Sequence, residues 1–354
     1  MPVDPENQRG IMAQFKKAEY IKVGVIGYGG AFNMGLAHLN EMKKAGMTPV
    51  AVAELDVKRL AVATKDFPGI ETYASVADML KKSDVNLLAI ITPHNTHAQL
   101  AMQCLNAGRH VVCEKPLAIT TAECDAMIAA AKKNKVVLST YHNRHWDGNI
   151  LGAMRHIRAG EIGAVVRVDV QMAGWGKPGD WWRSSKTIAG GLFYDWGVHL
   201  LEYTLQVVND DIREVSGYLW SGVWANQTAW KKDTIEDDGL IVVRYAGGAW
   251  STMAISSIDS RPPASFFKVT GTKGAYIMEW ETGEIVTHNG AKMVTMRVPN
   301  PPSAGWKLYQ NVADHLTRGV RLIITPEWSR RPIHILDLAC RSARQGKAMP
   351  AKYK

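Results

Sequence analysis

In the stretch AGGLFYDWGVHLLEY, residues 189–203, Asp195 and His199 stand four residues apart. On an α-helix that spacing sends both side chains off one face. A carboxylate and an imidazole so placed suit three chemistries: holding a metal ion, passing a proton, or closing a polar helix edge. Two further groups of residues carry chemical promise. Glycines crowd VGVIGYGGAFNMG (23–35), and Thr92-Pro93 and Glu114-Lys115-Pro116 each end an apolar run.

The elements that must position these residues alternate from residue 20 onward. Apolar runs at 20–27, 49–54, 85–91, 110–115 and 135–141 read as strands, and the segments between them read as helices, the first over about 31–45. Repeated strand–helix units of this length predict a doubly wound parallel sheet. After about residue 143 the pattern changes. One amphipathic helix (149–160) leads into AVVRVDVQM, GLIVVRYAGGAWSTMAISS and FFKVTGTKGAYIMEW, whose Gly-Gly and Lys-Gly turns predict hairpins and a largely antiparallel open sheet. Helices near 306–318 and 326–345 close the chain. The expected fold class is therefore α/β, divided into an N-terminal extension (1–20), a parallel-sheet domain (21–143) and a second α/β domain (144–354).

Composition narrows the function classes. The net charge is +9, from 42 Lys and Arg against 33 Asp and Glu, but the basic residues are scattered as doublets such as Lys43-Lys44 and Lys132-Lys133. They fall near helix ends, where cations suit the macrodipole, and form no stripe interleaved with aromatics, which argues against nucleic acid. No apolar run approaches the roughly 20 residues that span a bilayer. The four cysteines show no zinc spacing, and a reducing, cytoplasmic setting fits them. The first twenty residues carry no apolar core of a secretory signal.

The glycine-rich turn ends the first strand with Gly27 and Gly29, followed by Gly30, Ala31 and Phe32. Such a turn lets backbone approach a pyrophosphate and aims helix N–H groups at it. Phe32 takes the place of the usual third glycine. Glu54 ends the second strand, where an acidic side chain takes ribose hydroxyls and repels a 2′-phosphate. Leu55 beside it offers no cation, so NAD is expected over NADP. Thr92, Pro93, Glu114 and Lys115 fall at the carboxyl edge of the sheet, where open α/β sheets bind ligands. His94 and His97 are expected as loop or helix-start residues beside the cofactor.

Taken in order, these motifs resemble the Gfo/Idh/MocA family, named for glucose–fructose oxidoreductase and inositol dehydrogenase. The resemblance runs from Ile21 to Gly346. It rests on the glycine turn, Thr92-Pro93…His97, Glu114-Lys115-Pro116, Asn143-Arg144, Gly160-Glu161-Ile162-Gly163 and Trp182-Arg183…Gly190-Gly191…Asp195…His199. It implies a Rossmann domain bearing NAD(P), with Asn143 among the cofactor contacts, and a second domain whose open sheet packs in a homodimer or homotetramer. It also implies hydride transfer from a sugar or polyol carbinol, with Lys115, Asp195 and His199 as the catalytic group.

Oxidising a secondary alcohol removes a hydroxyl proton as hydride leaves the same carbon. A histidine, ordinarily near pKa 6.5, suits that proton, and a nearby Lys115 would favour neutral imidazole and support alkoxide character on the oxygen. Asp195 would orient the imidazole or bind a neighbouring hydroxyl. A metal site drawing on His94, His97, His142 or His145 is considered and set aside, since hydride chemistry needs none. Trp175, Trp182 and Tyr194, with Arg144 and Arg183, suit a pyranose or cyclitol, which offers apolar C–H faces and hydroxyl rims. Two other functions stay open: transient oxidation with retained NAD, leading to glycosidic cleavage or isomerisation, and a sugar- or NAD-sensing protein without turnover.

Overall fold

A computed structural model describes residues 13–351, so most of the N-terminal extension lies outside the described residues. The chain runs β1 (Lys22–Ile26), α1 (Met34–Lys44), β2 (Thr48–Ala53), α2 (Val57–Asp66), β3 (Glu71–Tyr73), α3 (Val76–Lys82), β4 (Leu87–Ile90), α4 (His97–Asn106), β5 (His110–Cys113), α5 (Thr121–Asn134) and β6 (Leu138–Thr140). It continues with α6 (Gly148–Arg158), β7 (Val165–Ala173), α7 (Lys186–Ala189), α8 (Gly197–Val207), β8 (Ile212–Trp220), β9 (Asp238–Tyr245) and β10 (Trp250–Ser256). It ends with β11 (Phe267–Gly271), β12 (Gly274–Met278), β13 (Thr282–Asn289), β14 (Lys292–Pro299), α9 (Lys307–Arg318), α10 (Pro326–Gln345) and β15 (Met349–Pro350).

Two compact units emerge. The first holds the described residues up to Ala118, Ala122–His142 and Trp306–Ser329. The second holds Ile119–Thr121, Asn143–Gly305 and the described residues from Arg330. The chain thus returns to its first unit with α9, instead of leaving it once near residue 143.

The first unit is a six-stranded sheet in the order β3-β2-β1-β4-β5-β6, every pair parallel. Its central strands β4 and β5 are buried at every position, which is why their sequences are continuous apolar runs. Helix α2 begins at Asp56, whose carboxylate accepts the Lys58 N–H at 2.8 Å. Helix α4 is followed by Gly108 in the left-handed region, as expected of a glycine that ends a helix. The three-residue edge strand β3, with the polar sequence Glu-Thr-Tyr, is not among the strands read from sequence.

The second unit is a nine-stranded sheet in the order β14-β13-β12-β11-β7-β10-β9-β8-β15. All pairs are antiparallel except β7 with β10, which run parallel. The Gly247-Gly248 and Thr272-Lys273 turns do close hairpins. Helix α8 packs on β7 and β10, and β10 approaches so closely that a Cβ on Gly197 would stand 2.9 Å from Met253 Cε. Among the described residues, no helix is long and apolar enough to cross a membrane.

Candidate active site

The cofactor-type residues gather at the carboxyl edge of the parallel sheet. Gly27 extends β1, donating its N–H to the Ala53 carbonyl at 2.8 Å with φ at 99°. A Cβ there would collide with the Ile91 carbonyl oxygen, so the position needs glycine on both counts. A Cβ on Gly29 meets nothing within 4 Å, which leaves the backbone of this turn open to a phosphate. Ala31 and Phe32 follow in the turn. Phe32 is 56% exposed, and Asn33 takes a left-handed φ of 49°. Helix α1 therefore starts at Met34, three residues later than its apolar pattern suggests.

Glu54 reaches across the sheet edge. Its carboxylate accepts N–H groups from Tyr28 (2.6 Å), Leu55 (2.7 Å) and Asp56 (3.0 Å). It thereby ties the end of β2 to the glycine turn rather than merely capping a strand. A residue absent from the sequence reading stands beside it. Arg59, in the first turn of α2, donates Nε–H to the Tyr28 carbonyl at 2.7 Å, and its Nη1 would lie 3.2 Å from a Cβ on Gly30. Arg59 thus places a cation beside the glycine turn.

Thr92 and Pro93 follow β4, and Thr96 donates to the Pro93 carbonyl at 2.7 Å. His94 is buried in the short turn before α4, and His97 is wholly buried. The His97 ring nitrogens face the Pro116 carbonyl (2.7 Å) and the Thr92 carbonyl (2.9 Å). Burial outweighs those two carbonyls and pulls its pKa below the ordinary value. His97 thus joins the loop after β4 to the loop after β5.

Glu114 and Lys115 follow β5. The Lys115 N–H donates to Glu114 Oε2 at 3.0 Å, and Glu114 Oε1 faces His38 Nε2 at 3.0 Å. His38 Nδ1 lies 2.5 Å from the buried Tyr309 hydroxyl. These contacts fix the backbone from which the Lys115 side chain leaves the sheet edge.

In the second unit, α7 is capped by Ser185, whose hydroxyl accepts the Ile188 N–H, and it ends at Gly190. Gly190 and Gly191 both have positive φ (95° and 121°), turning the chain so that the Leu192 N–H donates to Glu236 at 3.0 Å. A buried single turn, Leu192–Tyr194, then delivers Asp195. The helix begins only at Gly197, so Asp195 precedes α8 while His199 lies in its first turn. The shared helical face expected of this pair is therefore replaced by a helix N-terminus with the carboxylate just outside it.

Asp195, with its side chain 30% exposed, faces Arg183 Nη1 at 3.5 Å. The Arg183 guanidinium lies over the rings of Trp181 (5.0 Å) and Trp182 (5.1 Å). His199 is buried, with the Trp196 ring against it at 5.7 Å. Arg144 lies over the other partner of that contact, 4.9 Å from the Trp196 ring, and pairs with Asp147 at 2.9 Å. Asn143 begins the same short turn as Arg144. His145 and the buried Glu202 pair at 2.5 Å behind this group, a contact that the HLLEY pattern hides because the partner is distant in sequence.

The other aromatic residues separate. Trp175 is 61% exposed and packs edge-on against Trp224 at 5.5 Å. Tyr194 is buried in a cavity of about 510 Å³ with Lys186, Glu236, Asp337 and Cys340, where burial pushes the Cys340 thiol up to about 12. The structure thus brings Trp182, Arg183 and Asp195 together, and Arg144, Trp196 and His199 together. Tyr194 and Trp175 belong to other surroundings.

Comparison with known proteins agrees with this fold. Residues 21–142 match the model of the oxidoreductase family with an NAD-binding Rossmann fold, and residues 150–277 match the GFO/IDH/MocA C-terminal domain. The scyllo-inositol 2-dehydrogenase (NADP(+)) IolW of Bacillus subtilis is 24% identical, over 94% of this chain and 97% of its own. The myo-inositol 2-dehydrogenase of Thermotoga maritima is 27% identical, over 72% of this chain and 74% of its own. A levoglucosan dehydrogenase in complex with NADH and levoglucosan shares the fold, with a TM-score of 0.79 at 20% identity over 93% of this chain and 99% of its own. The chain belongs to the GFO/IDH/MocA family of NAD(P)-binding oxidoreductases.

Proposed function

We propose that this protein oxidises a secondary hydroxyl of a ring sugar, sugar derivative or cyclitol, with Lys115, Asp195 and His199 as the acting side chains. The observation that carries the reading is the part-exposed Arg183–Asp195 pair, its guanidinium over two indoles, set just ahead of the helix turn that holds His199. Indole faces meet the C–H faces of a pyranose or cyclitol, and the charged pair meets its hydroxyl rim. The relatives named for inositols and levoglucosan act on rings of this kind.

NAD, when bound, would supply the hydride acceptor. His199 takes the hydroxyl proton, and Lys115 stabilises negative charge growing on the carbinol oxygen. Asp195 binds a neighbouring hydroxyl and is itself held by Arg183. Gly27, Gly29 and Gly30 admit the pyrophosphate, and Glu54 takes the ribose hydroxyls. NAD is the proposed acceptor because an acidic Glu54 after β2 suits ribose hydroxyls and repels a 2′-phosphate, although Arg59 places a cation beside Gly30.

The uncovered face of the nine-stranded sheet supports association into a homodimer or homotetramer, with Tyr218 and Trp220 61% and 52% exposed. Its free, mostly buried cysteines suit a reducing compartment.

The test is a panel of sugars and cyclitols followed by NADH absorbance, together with analysis of any cofactor that co-purifies. Steady NADH formation with one ring class is expected. Bound cofactor with no net NADH from any member would overturn simple dehydrogenation.

A further inference from the structure

A row of aromatic rings leads outward from His199. The Trp196 ring meets His199 at 5.7 Å and meets Trp280 edge-on at 6.3 Å. Trp280 in turn stacks flat on Phe266, with ring centroids 4.5 Å apart and planes at 12°. Trp280 stands in the turn between β12 and β13 and is 50% exposed.

This turn is held firmly. The Asn300 side-chain amide donates to the carbonyls of both Glu279 and Trp280, each at 3.1 Å. Thr282 donates to the Glu279 carboxylate at 2.9 Å, and Arg297 pairs with the same carboxylate at 3.2 Å. Glu281, the next residue after Trp280, is exposed. A half-exposed indole on a braced turn, backed by a second ring and followed in the chain by an exposed carboxylate, suits a sugar ring.

We propose that Phe266, Trp280 and Glu281 form a second sugar subsite, so that the substrate is a glycoside whose second neutral ring stacks on Trp280 while the first is oxidised near His199. The subsite rests on the proposed role of His199 as the place of reaction. Stacking of this kind contributes about threefold to tenfold in affinity.

The test compares glucose and galactose with maltose, cellobiose, lactose and trehalose, using the wild-type protein, Trp280→Ala and Trp280→Phe. Both kcat/KM and calorimetric binding are measured. At least one disaccharide is expected to bind more tightly than its monosaccharide. Trp280→Ala should erase that advantage through KM and leave the monosaccharide unchanged, and Trp280→Phe should restore most of it. Equal effects on both sugars, or no disaccharide preferred over its monosaccharide, overturn the subsite. A change in molecular mass caused by Trp280→Ala also overturns it, marking Trp280 as a contact between copies. The same binding comparison in a His199→Ala background separates the two readings. Turnover retained there refutes the role of His199, whereas loss of the Trp280 effect on binding refutes the subsite alone.

Discussion

His38 Nε2 lies 3.0 Å from Glu114, so a helix at the start of the parallel sheet holds the carboxylate that directly precedes Lys115. Burial alone would push the Glu114 carboxyl up. The hydrogen bond and charge of His38, aided by Lys115, outweigh it and hold the pKa below 4.5. A depressed carboxyl contributes stability above its unfolded pKa and loses it as pH falls through the folded value. His38→Leu should cost about 3 kcal/mol at neutral pH by leaving that carboxylate buried without its partner. The cost should shrink in acid, as pH falls through that lowered folded value and the carboxyl protonates. Urea unfolding at the two pH values measures the difference, and an equal cost at both would refute the linkage.

His199→Ala and Lys115→Ala should each lower kcat by about 10²–10⁴-fold if they handle the hydroxyl proton and the alkoxide charge. Neither should change NAD affinity much, since the glycine turn and Glu54 remain intact. Fluorescence titration of NADH alongside steady-state kinetics checks both halves. Near-normal turnover in either variant removes that residue from the mechanism.

Arg183→Met should cut kcat by about tenfold, roughly 1.4 kcal/mol of transition-state stabilisation, by releasing Asp195. Arg183→Lys keeps the charge but loses the planar stack on Trp181 and Trp182, so it should recover only part of the loss. Full recovery would show that charge alone matters.

Glu54→Ala should shift the NADP-to-NAD ratio of kcat/KM upward by about tenfold or more, by removing both the ribose acceptor and the repulsion of a 2′-phosphate. Adding Arg59→Ala should reverse much of that shift, because Arg59 is the cation beside the turn. An unchanged ratio in Glu54→Ala would separate this carboxylate from cofactor choice.

Much of this architecture is legible in local sequence. The continuous apolar runs of β4 and β5 announce strands covered on both faces, and glycine-rich turns announce the hairpins after residue 238. What local sequence hides is contact between distant residues. The strand β3 is short and polar because it lies at a sheet edge, so no hydrophobic period marks it. The parallel pairing of β7 with β10 leaves no local trace either. In the site, the spacing of Asp195 and His199 suggests one helix, yet the left-handed glycines and the buried turn before them delay α8 until Gly197. Arg183 and Arg59 gain their meaning only from side chains that the fold brings to them.

The parallel seam between β7 and β10 bears on how the second unit is made. Strands β8–β10 and β11–β14 are two meanders that can form from near neighbours, but β7 lies between them and joins β10 across some eighty residues of chain. Closing so long a loop is entropically costly until both flanks exist to receive the strand. Helix α8 rests on β7 and β10, so the seat of His199 is finished only when that keystone is set. Refolding should therefore show secondary structure first and activity last, with α8 docking in the slowest step.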